Sequence, residues 1–216
     1  MMRTILVPVM ADATDNATFA TTLVAARQLD AHIEFLFVRS EPTLLYMAGA
    51  PGELGTWTSP AWISELEKDE AERVVRARHF CQSFCDRERI IVAEQPPGPH
   101  GMSAAWREEK GDDAWKIMRR TRFNDLLIVS PPREEQGLDP DAIASILIGS
   151  GRPVLLAPAQ RPASLTRTVV IAWKETPEAA RAVMAAMPFI AKADKVVVLS
   201  IGETDAESMA SAESLA

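Results

Sequence analysis

The chain has 216 residues, 47% of them hydrophobic and 25% charged, with a net charge of −7 and a pI near 5.1. That length suits one domain or two small ones, and the apolar fraction is ample for a core. The acidic balance argues against non-specific binding to DNA, RNA or an anionic membrane, and no apolar run approaches the ~18 residues that a membrane helix needs.

Arg3 to Val9 (Arg-Thr-Ile-Leu-Val-Pro-Val) opens the chain. Its basic start and apolar run resemble a secretory leader, but the run is short and rich in strand formers, so it reads as a buried parallel strand. Thr14 or Asp15 is placed to cap a helix running to about Leu29, with Phe19, Leu23 and Ala26 on one face. Ile33 to Val38 is the second strand. Residues 39–60 form a long irregular stretch with several Pro and Gly, yet the 44–62 loop also holds Leu44, Leu45, Tyr46, Met47, Trp57 and Trp62. So many apolar residues point either to packing at the sheet or a subunit interface, or to a lid over an apolar ligand.

A long helix is predicted from about Ala61 to Arg89, with Leu66, Val74, Cys81 and Phe84 along its buried stripe. Cys81 and Cys85 are the only cysteines. Two thiols make no disulfide framework and, without further ligands, no metal site; they read as buried packing thiols in a reducing, cytoplasmic setting. The Pro/Gly-rich residues 95–102 break regular structure. A third strand follows at 103–108, then a helix opened by Asp112 or Asp113 and running to about Arg122. Lys116, Arg119, Arg120 and Arg122 read as its solvated basic end. Asp125 to Ser130 is the fourth strand, residues 139–148 a short helix, and Pro153 to Ala157 the fifth strand.

After a linker at 158–166, the opening motif recurs. Arg167 to Trp173 (Arg-Thr-Val-Val-Ile-Ala-Trp) repeats the first strand, a helix capped by Thr176 follows, and Val196 to Ile201 is its second strand. Ala180, Val183, Met184 and Met187 are expected to form that helix's buried face. The domains are therefore 1–157, a partial second copy at 167–202 that stops short of a full sheet, and a flexible tail at 203–216.

Ile5 to Val9, Asn124 to Val129, Arg152 to Leu156 and the repeat at 169–188 together resemble the universal stress protein family in its tandem-domain form. The resemblance implies an α/β fold: a doubly wound five-stranded parallel sheet of order 3-2-1-4-5, of the adenine-nucleotide alpha-hydrolase type. It also implies a nucleotide site where the first and fourth strands part, matched here by Val9, Met10, Val38, Ser130, Arg133 and Asp141. A crevice at that point follows independently from the reversal of strand order.

The family's Gly-x-x-Gly and Gly-Ser phosphate motif is altered in this chain. Ser130-Pro131-Pro132-Arg133 stands where the first two glycines belong, and two prolines remove N–H donors. The Gly-Ser position falls on Pro140-Asp141, at a helix start already capped by Asp139 and made negative by Asp141. The family's acidic residue after the first strand is replaced by Met10. The expectation is a regulatory or binding module of the stress response, non-catalytic, with no cofactor. It would form a homodimer and engage a protein or small-molecule partner, without nucleic acid or membrane. The alternatives are a protein that binds ATP through an altered phosphate loop, and a small-molecule binder beneath the 44–62 loop.

Overall fold

The structure, a computed structural model, describes residues 2–39, 60–95, 101–132, 137–200, 214 and 215. Most of the 44–62 loop, Arg133, His100 and the expected tail beyond 202, apart from 214 and 215, lie outside these described residues. The chain divides into two units, residues 2–161 and residues 162–216.

The larger unit runs β1 (Thr4–Pro8), α1 (Asp15–Leu29), β2 (His32–Arg39), α2 (Pro60–Glu88), β3 (Ile91–Val92), β4 (Ser103–Lys110), α3 (Asp113–Thr121), β5 (Leu126–Val129), α4 (Pro140–Ser150) and β6 (Val154–Leu156). All pairings are parallel, and the sheet order is β3-β4-β2-β1-β5-β6. The expected five-strand order is present, with the two-residue β3 added at one edge. β1 is central: Leu6 lies opposite Glu34 on one side and Leu127 on the other. Its unbroken apolar run is required because both sheet faces are covered.

Alternation along the strands divides the core. On one face Leu6, Leu36, Val38, Leu127 and Val129 pack with Ile117 of α3, Ile146 of α4 and Leu138. On the other, Phe19 of α1 stacks on Phe35 at 4.6 Å between centroids and meets Phe84 of α2 edge-on at 5.1 Å. Aromatic pairs in these geometries add about 0.5–1.5 kcal/mol each beyond their burial. At the amino ends of the strands, the Asp125 carboxylate accepts the backbone N–H groups of Arg3 (2.8 Å) and Thr4 (3.1 Å). That contact ties the start of β1 to the start of β5.

The smaller unit has β7 (Thr168–Ala172), α5 (Pro177–Ile190) and β8 (Lys195–Leu199), with β7 and β8 parallel. The Thr176 hydroxyl caps α5 by accepting the Ala179 N–H at 3.2 Å. The expected buried face of this helix does not form. No residue of α5 is buried, Met184 is 72% exposed, Ala180 and Met187 are exposed, and Val183 is only half-buried. One helix on two strands covers too little surface to build a core.

Candidate functional site

Strand order reverses between β1 and β5, so a crevice opens where their carboxyl ends diverge. Two loops form its walls. Residues 9–14 lead from β1 to α1, and residues 130–139, of which 133–136 lie outside the described residues, lead from β5 to α4. Pro8, Met10, Thr14, Asp15, Thr18, Val129, Ser130 and Leu138 line a cavity of about 10 Å³. That is roughly the room one water molecule needs.

Among the described residues, the chain's own groups bond between the two loops. Asp12 Oδ1 accepts both the backbone N–H of Thr14 (2.7 Å) and the Thr14 hydroxyl. Asp12 Oδ2 reaches across the crevice and accepts the N–H of Gly137 at 3.1 Å. Gly137 has φ of +75°, and a Cβ there would lie 2.7 Å from the Ser130 hydroxyl. Both facts restrict the position to glycine.

Of the two cap candidates, Asp15 does not cap α1. Thr14 is the N-cap, its hydroxyl making no bond to the helix's first turn, and the Asp15 carboxylate turns back to accept the N–H groups of Met10 (3.0 Å) and Ala11 (2.9 Å). Ala11 is held at φ of +59°, a left-handed conformation uncommon for alanine. Asp15 is 3% exposed. Burial pushes its carboxyl up to about 6, the Met10 and Ala11 N–H groups pull it partly back, and the neighbouring Asp12 pushes it further up.

Arg73 of α2 holds the same loop from another side. It donates to the Met10 carbonyl (3.3 Å) and to Glu70 (2.9 Å), and its guanidinium lies over the Phe37 ring at 5.5 Å. Asp113 is pushed up to about 6, chiefly by burial, with Arg73 opposing and Asp112 and Glu70 adding to the rise.

Of the residues matched to the family nucleotide site, Val9, Val38 and Ser130 are buried, and Met10 is half-buried. Val38 and Met10 belong to the apolar cluster on the α3/α4 face. Met10 and Ser130 both line the small cavity. Asp141 is exposed, and its N–H is taken by the Asp139 cap at 2.8 Å. Asp12, Arg73 and Gly137 were not singled out from sequence, and Asp15 only as a helix-cap candidate. The available signal was two carboxylates, Asp12 and Asp15, directly after an apolar strand.

A second polar group lies under α3. Glu34 of β2 is buried and takes the Arg120 guanidinium in a two-pronged pair, with the Nη2 contact at 2.6 Å. Arg107 lies 3.8 Å away and Asn124 donates at 3.5 Å. The hydrogen bond to Glu34 holds Arg120 above its ordinary value. Arg120 is therefore not part of a solvated basic end, and Arg122 is also engaged, on the Gly149 carbonyl (3.0 Å). His32 shares a 2.8 Å hydrogen bond with Ser103, and burial lowers its pKa.

Cys81 and Cys85 are buried free thiols. Burial pushes Cys81 far up and Cys85 to about 11, so neither offers a thiolate at neutral pH. Among the described residues no cluster of three or more metal-ligating side chains occurs, and no helix is long and apolar enough to cross a membrane.

No protein-family model and no curated protein matches the chain. Solved structures do. A universal stress protein from Archaeoglobus fulgidus aligns over 98% of this chain and 71% of its own, at 16% identity and a TM-score of 0.59. A hypothetical protein solved for structure-based assignment of its biochemical function aligns over 76% of this chain and 99% of its own, at 14% identity and 0.50. Universal stress protein UspA from Lactobacillus plantarum aligns over 73% and 98%, at 14% identity and 0.49. The fold of this chain is that of the universal stress proteins.

Proposed function

We propose that the chain is a stress-response module of the universal stress protein type that works by binding and association, without catalysis and without a nucleotide in the crevice between β1 and β5. One observation carries this reading: the Gly137 N–H, a donor on the β5 side, is already taken by the Asp12 carboxylate across the crevice. Among the described residues, an entering phosphate would meet that carboxylate, with Asp15 beside it, at a donor already in use. Pro131 and Pro132 offer no N–H, and the first turn of α4 is capped by Asp139. Losing several charge-assisted bonds at roughly 1.5–3 kcal/mol each moves a micromolar site to millimolar or weaker. Calorimetric titration with Mg-ATP tests this. A dissociation constant weaker than about 1 mM is expected, and one at or below about 10 μM, some 7 kcal/mol of binding, would overturn the reading in favour of an ATP-binding protein with an altered phosphate loop.

The association surface we propose is the β6 edge of the larger unit. Ile148 is 82% exposed and Phe123 74%, with Leu147 and Leu156 also exposed. β6 has one side unpaired in the described sheet. An apolar, unpaired edge favours a second copy of the chain over solvent. Sedimentation should show a dimer that Ile148→Glu with Phe123→Glu converts to monomer. A wild-type chain that stays monomeric at high micromolar concentration would contradict this assignment.

A further inference from the structure

The Asp12 contact has a property that a simple loop turn lacks. A turn would need only the local bonds to Thr14. Here the second carboxylate oxygen spans to Gly137, 125 positions away in sequence, and so joins the two loops that form the crevice. The donor set converging on this carboxylate is two backbone N–H groups and one hydroxyl. Such a set would equally hold an oxyanion. Its geometry is fixed from both sides. Asp15 holds residues 10 and 11, and the Ser130 hydroxyl leaves Gly137 no room for a side chain.

We infer that Asp12 is a built-in surrogate anion: it occupies the donors of a phosphate-class oxyanion and keeps the crevice shut, so that displacing it exposes an anion site. This rests on the closed-crevice reading above and adds to it how the closure works. Among the described residues, the groups facing Asp12 are Thr14 on its own loop, Gly137 on the opposite loop and the nearby Asp15. Among the described residues lining the cavity beside Thr14, Asp15 is the carboxylate. The bound anion would therefore have to tolerate that neighbouring carboxyl, which favours the phosphate monoanion over the dianion.

The test uses the full chain, labelled with nitrogen-15 and titrated with inorganic phosphate at pH 6 and pH 7. Wild type should show no saturating shift at Gly137. Asp12→Ala should bind phosphate at least about tenfold more tightly than wild type, with the Gly137 and Thr14 amides as reporters and tighter binding at pH 6 than at pH 7. Asp12→Asn, which keeps the shape and one acceptor, should fall between the two and serves if Asp12→Ala does not fold. In wild type, the Gly137 amide should also be protected from hydrogen exchange. A folded Asp12 variant that binds phosphate no better than a non-binding wild type, or an unprotected Gly137 amide, overturns the surrogate-anion inference alone. A wild type that itself binds phosphate tightly through Gly137 overturns the closed-crevice reading on which it rests.

Discussion

Asp15→Asn separates the electrostatic cost of the first loop from its hydrogen bonds. Asp15 is 3% exposed, and burial raises its carboxyl from 3.8 to about 6. A group whose folded pKa is raised favours folding fully below the unfolded value, and that contribution is lost as pH rises through the folded value. The rise is roughly two units, so at about 1.36 kcal/mol per unit the ionised form costs the folded chain about 3 kcal/mol at pH 7. Asparagine removes the charge but keeps one acceptor for Met10 or Ala11. The other N–H is left without its carboxylate partner, at a cost of about 1–2 kcal/mol. At pH 4 the substitution should therefore destabilise by about 1–2 kcal/mol. At pH 7 it should stabilise by about 1–2 kcal/mol. The assay is urea unfolding of both chains at half-unit steps from pH 4 to pH 7.5. The difference between them should change by about 3 kcal/mol, and most of that change should fall between pH 4 and pH 6.5. A difference that stays flat across this range would refute the placement of Asp15 as a buried, desolvated carboxyl.

Further outcomes follow from the same packing. Glu34→Gln leaves Arg120, whose side chain is 31% exposed, without its ionic partner; after discount for that exposure the loss should be about 2 kcal/mol, and Glu34→Leu with Arg120→Met should recover part of it in a double-mutant cycle. Gly137→Ala places a methyl against the Ser130 hydroxyl at positive φ and should lower the unfolding free energy by about 1–3 kcal/mol, whereas an unchanged melting temperature would place Gly137 elsewhere. Cys81 and Cys85 should react with an aromatic disulfide reagent only as the chain unfolds, and stoichiometric labelling within seconds at pH 7.5 would contradict their burial.

Sequence periodicity revealed most of the larger unit because its signals are local. β1 and β5 are continuous apolar runs, and α3 and α4 open on Asp112 and Asp139, each bonding the backbone of its first turn. β3 escaped detection because Ile91 and Val92 are too few to set a pattern, and both are exposed at an edge. The face expected on α5 was a correct apolar stripe with too little surface to cover it, so Met184 stays in solvent. The crevice was only half legible. The loss of glycines and N–H donors at Ser130 to Pro132 can be read directly. The Asp12 to Gly137 bond joins segments that only the folded sheet brings together, and Asp15 stood beside Thr14 as a cap candidate because capping and back-bonding carboxylates share the same position at a helix start.

The most direct test of a self-occupied crevice is a site-resolved one. Amide spectra of the nitrogen-15-labelled wild-type chain, recorded over a titration to about 0.1 mM free Mg-ATP (about ten times a 10 μM dissociation constant and a tenth of a 1 mM one), report Met10, Thr14, Ser130 and Gly137 individually. A crevice closed by Asp12 predicts only small, non-saturating shifts at these four amides. Saturating shifts at all four, centred on Gly137, would show that nucleotide displaces Asp12 and would contradict the closed crevice.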